Sequence, residues 1–407
     1  MLGNRTVITR SASIIVLLLC VSACSSIGGA FNGQPEDLQK ISPEAQTLVK
    51  SAYADLNEGQ VMDYHTHIVG LGKGGTGAYV NPAKQTLLHP IEYLKFRVFF
   101  SGSGITDVDN ADAQFVERLV RLINGIPDHG KFRILAFDRN YAESGLPVEE
   151  KTEFYTPNRY VMGLAAAYPD IFVPTISVHP YRKDAVERLD YWAKQGAKLI
   201  KWLPNAMGID ASSPILDSYY EAVKKNNMVI HTHVGKESAV AEADQKYGNP
   251  LRFRRALDRG VKIIMAHSAS LGTNIDLDDP ENKIVSNFEL FLRLMDEKKY
   301  EGLLFGEISG LTQVNRLSVP LATLIERQDL HSRLVDGSDY PLPAINAVIW
   351  TSSLVTEGFI TSEQRLLLNE IYDVNPLLFD FVLKRTLRHP TTGNQFSPGI
   401  FLEHPDL

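Results

Sequence analysis

Eight short runs of β-branched and other apolar residues recur along the chain, at 60–64, 132–137, 171–178, 197–202, 228–232, 262–266, 302–308 and 333–337. Longer stretches with apolar residues at helical spacing lie between them, as at 113–123, 183–194, 218–225, 251–259, 288–298 and 319–327. Alternation of this kind predicts a parallel sheet, because each helix returns the chain to the same edge. Eight such units within about 275 residues fit a closed (β/α)8 TIM barrel better than an open sheet. The expected α/β domain runs from 43 to 407 and ends in terminal helices over 364–383, broken at Asn375-Pro376.

Composition narrows the class further. Hydrophobic residues make up 44% and charged residues 22%, which excludes a disordered chain and a polytopic membrane protein. The net charge is −7 and no Lys/Arg-rich run occurs, which argues against a nucleic-acid partner. A small molecule is the expected partner; oligomeric state is left open.

The first residues read as a processing signal. Arg5 and Arg10 precede an apolar run from Ile14 to Ala23, half the length of a membrane span, which needs about 20 residues. Val21-Ser22-Ala23-Cys24 follows. This resembles the bacterial lipoprotein signal, which implies a signal peptide over 1–23, lipidation of Cys24 and a flexible tether over 24–42. Cys20 and Cys24 are the only cysteines, so cleavage leaves one and no internal disulfide can form. The resemblance implies an exported protein held to the periplasmic face of a membrane by its lipid. Ser25 stands where an inner-membrane retention aspartate would, which favours the outer membrane.

The strand ends carry the chemistry. The first strand runs into His65-Thr66-His67, the fourth ends at Lys201, and the fifth ends His231-Thr232-His233. The sixth ends at His267 and the eighth leads to Asp339. Parallel barrel strands converge at their C-terminal ends, where barrel active sites lie. Residues two apart on a strand share a face, so each His-x-His pair can hold one ion. Two such pairs among 11 histidines, joined by His267 and Asp339, exceed chance. Imidazoles and a carboxylate without a thiolate suit Zn²⁺ first, with Mn²⁺, Fe²⁺ and Ni²⁺ as further candidates.

These residues, in this order, resemble the amidohydrolase superfamily of metal-dependent barrel hydrolases, specifically the amidohydrolase-related branch that also holds some decarboxylases. The likeness covers 60 to about 380. It implies His65, His67, His231, His267 and Asp339 as ligands for one or two divalent metals. Lys201 falls where some members carry a carbamylated lysine that bridges two metals. The implied reaction is metal-activated water cleaving an amide, ester, lactone or related bond, with Asp339 moving the proton and His267 holding a second metal or polarising water or substrate. A decarboxylase on the same barrel and a non-catalytic binding lipoprotein are the alternatives.

Further residues are weaker candidates. His179 and Arg182 follow the third strand, and an arginine there can bind a substrate carboxylate through two bonds. His233 is an extra histidine with a candidate site role. Glu307 ends the seventh strand and can orient a ligand. Trp202 is expected to pack beneath the helices, and Lys198 to face outward. The glycine-rich stretch from Gly70 to Gly77 is expected as a flexible active-site loop; it lacks a phosphate-binding pattern.

Overall fold

Eight parallel strands pair in chain order around one sheet. We label them β1 (Met62–His67), β2 (Lys131–Leu135), β3 (Phe172–Ile176), β4 (Leu199–Trp202), β5 (Val229–His233), β6 (Lys262–Ala266), β7 (Leu304–Glu307) and β8 (Leu334–Val335). The computed structural model describes residues 33–407 except 58, 241 and 242. The expected signal peptide, Cys24 and the first part of the expected tether lie outside the described residues. Among those described, no helix is long and apolar enough to cross a membrane.

The last strand returns to the first. Tyr64 N–H donates to Asp336 O at 2.9 Å, Asp339 N–H to His65 O at 2.7 Å, and Thr66 bridges Tyr340 in parallel. With helices between the strands, this is a (β/α)8 TIM barrel. The expected strands all occur, the sixth with its expected bounds and the others shifted by one to three residues at one or both ends. The largest shift is at β1, which continues to His67, so both of its histidines lie within the strand.

Helices follow where apolar spacing predicts them, including Ala111–Asn124, Asn287–Asp296 and Val319–Glu326. The terminal helices are Ser362–Val374 and Pro376–Thr386, split at Asn375. Asn375 explains the break. Its side-chain oxygen accepts from Leu377 N–H and Leu378 N–H, capping the second helix, while its Nδ2 donates to Leu122 O. Residues 33–42, read as the end of the tether, lie against these helices: Gly33 N–H donates to Asp373 O, Ser42 N–H to the Glu370 carboxylate, and Glu36 pairs with Arg121.

The barrel interior is layered. Tyr64, Leu199, Val229, Ile264, Phe305 and Val335 form a buried apolar cluster with Leu407 packed against it. Two residues further along their strands come Lys201, His231 and Glu307, also buried. Period-two alternation places each pair on one face. The polar groups therefore stand one pleat step, about 6.6 Å, above an apolar floor. The alternate residues Ile200, Trp202, Ile230 and Ile263 belong to the outer core beneath the helices. Trp202 packs against Tyr219 and Tyr220 there, and Lys198 is exposed.

Candidate metal centre

β1 breaks the alternation. Its register against β2 shifts between Asp63 and Thr66. Met62 and Tyr64 join the apolar floor, yet His65 rather than Thr66 joins the polar layer. Such irregularities re-aim side chains near active sites. Asp63 stabilises the shift: its Oδ1 accepts from His65 N–H at 2.8 Å and from Ser338 N–H at 3.0 Å, tying β1 to the loop after β8. Burial, helped by Asp336, pushes the Asp63 carboxyl up to about 6.

His65 is the centre of the cluster. Its ring centroid lies 4.9 Å from those of His67 and His231 and 5.2 Å from that of His267. Its Nδ1 lies 2.8 Å from Glu307 Oε2. Burial acts to raise the Glu307 pKa, but His65 and His231 overturn this and hold it well below the usual carboxylate range. An ionised carboxylate has no proton to give, so Nδ1–H donates and the Nε2 lone pair faces the barrel mouth. There Nε2 stands 3.5 Å from Asp339 Oδ1, and His67 Nε2 stands 2.9 Å from that same oxygen.

His267 is oriented in the same way. Its Nδ1 donates to Ser309 O at 3.2 Å and contacts Ser309 Oγ at 2.8 Å. Its Nε2 is left toward Asp339 Oδ2 at 3.9 Å. Backbone conformation helps aim these groups: Asp339 has φ +59° and His267 to Ala269 have φ between +47° and +55°. Non-glycine residues enter this region at a cost of about 1–3 kcal/mol each and gather at functional sites.

The donor set fits a cation. Burial depresses the pKa of His65 and His267 well below the ordinary histidine value, takes His231 to about 4 and His233 to about 3. Neutral imidazoles keep a lone pair to donate. Nδ1 of His231 and Nε2 of His233 are buried without a hydrogen-bond partner, and His231 Nε2 stands 3.5 Å from Glu307 Oε2. Buried polar atoms are almost always satisfied, so orphaned nitrogens beside carboxylates call for a missing partner. Two sets each offer three ligand atoms within 4.8 Å of one another: His65, His67 and Asp339, and His65, His267 and Glu307.

Lys201 lies inside the cluster with Nζ 3.1 Å from His65 Nε2. Burial lowers its pKa to about 8, against the pull of Glu307, Asp339 and Glu237. His233 also joins the cluster: its ring centroid is 5.2 Å from that of His267, and its Nε2 is 3.6 Å from Glu237 Oε2.

The structure ties His179 and Arg182 to partners outside the histidine cluster. His179 has both nitrogens committed: Nε2–H donates to Met207 O at 2.8 Å and Nδ1 accepts from Tyr181 N–H at 3.1 Å. Arg182 is held by Asp184, Asp138 and Tyr141. None of these contacts reaches the histidine cluster. The glycine-rich loop is also less free than expected, since the Asp112 carboxylate accepts from Leu71 N–H, Gly72 N–H and Thr76 Oγ–H.

Three residues near the cluster escaped sequence reasoning: Ser309, Glu237 and Arg316. Each lies in an irregular segment beyond a strand end, where no periodicity points inward. A cleft of about 580 Å³, lined by Asp55, Arg385 and Ser397 among others, contains none of the cluster. The imidazole and carboxylate groups gather at the barrel mouth instead.

Fold and cluster together define a barrel protein with a buried imidazole–carboxylate centre at the C-terminal ends of its strands. The amidohydrolase family profile matches residues 63–344, and the chain belongs to that family. Comparison with curated proteins gives no match. Among solved structures, the chain is similar to 5-carboxyvanillate decarboxylase from Sphingomonas paucimobilis, with 12% identity, a TM-score of 0.44, and 76% of this chain and 96% of that one covered. A 5-carboxyvanillate decarboxylase variant from Novosphingobium aromaticivorans, with bound manganese and 3-methoxy-4-hydroxy-5-nitrobenzoic acid, gives 12%, 0.43, 80% and 97%. Dihydroorotase from Campylobacter jejuni gives 14%, 0.37, 76% and 80%.

Proposed function

We propose that the protein is a metal-dependent hydrolase of a small molecule bearing an amide, ester, lactone or related bond. The carrying observation is the convergence of His65 Nε2, His67 Nε2 and Asp339 Oδ1 beside the buried His231, whose Nδ1 has no partner. These four residues would hold a divalent ion, with zinc or manganese the first choices. Such an ion, when bound, acidifies a coordinated water and polarises a substrate carbonyl.

The remaining work belongs to the chain. Asp339 takes a proton from the attacking water and returns it to the leaving group as the bond to carbon breaks. His267, fixed through Nδ1 by Ser309, offers Nε2 as an acceptor to that water. Glu307 sets the tautomer and orientation of His65. Lys201 changes sign if its amine takes up carbon dioxide: the carbamate is an anion and makes room for a second ion near His231 and His267.

The test is metal analysis of protein purified without chelator, followed by hydrolysis of a panel of amides, esters and lactones. At least one ion per chain is expected, with hydrolysis lost on chelation and restored by zinc or manganese. Carbon dioxide release without hydrolysis would reassign the site to decarboxylation. Failure to take up any ion would overturn the metal-dependent reading. Export and lipid attachment belong to the same proposal and rest on residues 14–24 alone; labelling with a radioactive fatty acid should disappear in Cys24→Ser.

A further inference from the structure

Arg316 stands at the barrel mouth and has no role in the proposed hydrolysis. It lies between β7 and helix Val319–Glu326 and is 7% exposed. Nη1 donates to Ser270 Oγ at 3.1 Å. Nε is buried with no partner, and no carboxylate among the described residues lies within the 4.0 Å of an ion pair. The guanidinium is nevertheless tied to the site, since Ser270 N–H donates to His267 O at 3.0 Å.

A buried charge without a counter-charge is expensive, and proteins normally pair it. Here the side chain is restrained by one serine while one edge of the fork, Nε and Nη2, makes no hydrogen bond to a described residue. Two parallel N–H groups on that edge match the two oxygens of a carboxylate.

We propose that Arg316 is a substrate-binding residue and that the substrate carries a carboxylate remote from the bond being cleaved. The carboxylate docks on the Nε–Nη2 edge near His233 and His267, and the scissile group faces Asp339. This deepens the hydrolase reading and rests on it for the orientation of the substrate, but not for the carboxylate itself.

The test uses N-acetylglycine, N-acetyl-β-alanine and 4-acetamidobutyrate, each against its uncharged carboxamide twin. Binding is measured by calorimetry on the metal-loaded protein and on the chelated protein. At least one acid should bind tenfold or more tighter than its twin. The preference should vanish in Arg316→Met and return in part in Arg316→Lys. Arg316→Met should unfold at a temperature no lower than wild type, since it removes a buried charge that no described carboxylate pairs within 4.0 Å; a purely structural arginine predicts a lower one. Equal binding of acids and twins by the wild type, or an undiminished preference in Arg316→Met, overturns the proposal, as does a fall in unfolding temperature shared by Arg316→Met and Arg316→Lys without loss of preference. A wild type that binds no ion but keeps the carboxylate preference overturns the hydrolase reading and leaves this one standing. Ion uptake without the preference does the reverse.

Discussion

Lys201 Nζ sits 3.1 Å from His65 Nε2, the nitrogen that also faces Asp339 Oδ1 at 3.5 Å. An ammonium at that place and a divalent cation on the same nitrogen exclude each other. At a separation of about 4 Å and an effective dielectric of about 20, their repulsion is roughly 8 kcal/mol, more than a hydrogen bond to histidine returns. Metal binding therefore requires Lys201 to lose its proton or to be carbamylated.

The pH dependence follows from that exclusion. Burial places the Lys201 pKa at about 8, so below it the ammonium opposes the ion and above it the amine does not. Apparent metal affinity should rise between about pH 6 and about pH 8 and flatten beyond. In Lys201→Met the rise should be much smaller. Bicarbonate should increase the ions bound per chain in the wild type and leave Lys201→Met unchanged. Zinc titration against a chromophoric chelator reads both effects.

Glu307→Gln replaces the carboxylate that accepts the His65 Nδ1–H. The amide can present its N–H instead and favour the wrong tautomer. Loss of such an outer partner lowers metal affinity by about 10- to 100-fold. Far-ultraviolet circular dichroism should be unchanged while the zinc titration weakens.

Gly337→Ala tests how closely the barrel closes. A Cβ on Gly337 would stand 2.6 Å from His65 Cβ and 2.9 Å from Glu307 Oε1. Neither His65 nor Glu307 has free space to retreat into, since both are buried. Overpacking of this kind costs about 1–3 kcal/mol. Thermal unfolding should move down, with a loss of ion uptake beyond what the stability change accounts for.

Behind the same turn, Lys384 is buried and donates to Asp336 Oδ1 at 2.9 Å, Gly337 O at 2.7 Å and Asp380 Oδ2 at 2.6 Å. Burial pushes the Asp380 carboxyl up to about 7, and Lys384 pulls against it. Lys384→Met leaves two carboxyls buried without their cation. A destabilisation of about 3–5 kcal/mol is expected in denaturant unfolding. The double variant with Asp380→Leu should recover part of it.

His179→Ala separates a structural histidine from a substrate-binding one. It strands Met207 O and Tyr181 N–H in a buried place, at a cost of about 1–3 kcal/mol. Stability should fall while metal content stays at the wild-type value. A change confined to substrate affinity would contradict the structural assignment.

The barrel and its histidine-bearing strand ends were legible because both depend on short-range pattern. Strand alternation placed Lys201 and His231 two residues above Leu199 and Val229 on one interior face, and the structure keeps that phase. β1 was placed too early because its register shift breaks the alternation that a sequence reading relies on. A strand-end histidine such as His179 looks the same in sequence whether it faces a ligand or a backbone carbonyl. Arg316 was invisible for a different reason: nothing in an irregular loop marks a cation as lacking a partner until the whole barrel mouth is assembled.

The closure between β1 and β8 carries one more consequence. His65 and His67 stand near the start of the chain and Asp339 comes 272 residues after His67. Until the eighth strand has docked, no partial barrel presents both halves of the ligand set. On the proposed metal-dependent reading, ion uptake is an event of late folding, and the ion first installed is whichever is available in the compartment where the last strand closes. Under that ordering, identical sequences matured in different surroundings would carry different metals, and the ion recovered from a recombinant preparation would report the history of the chain as much as the preference of the site.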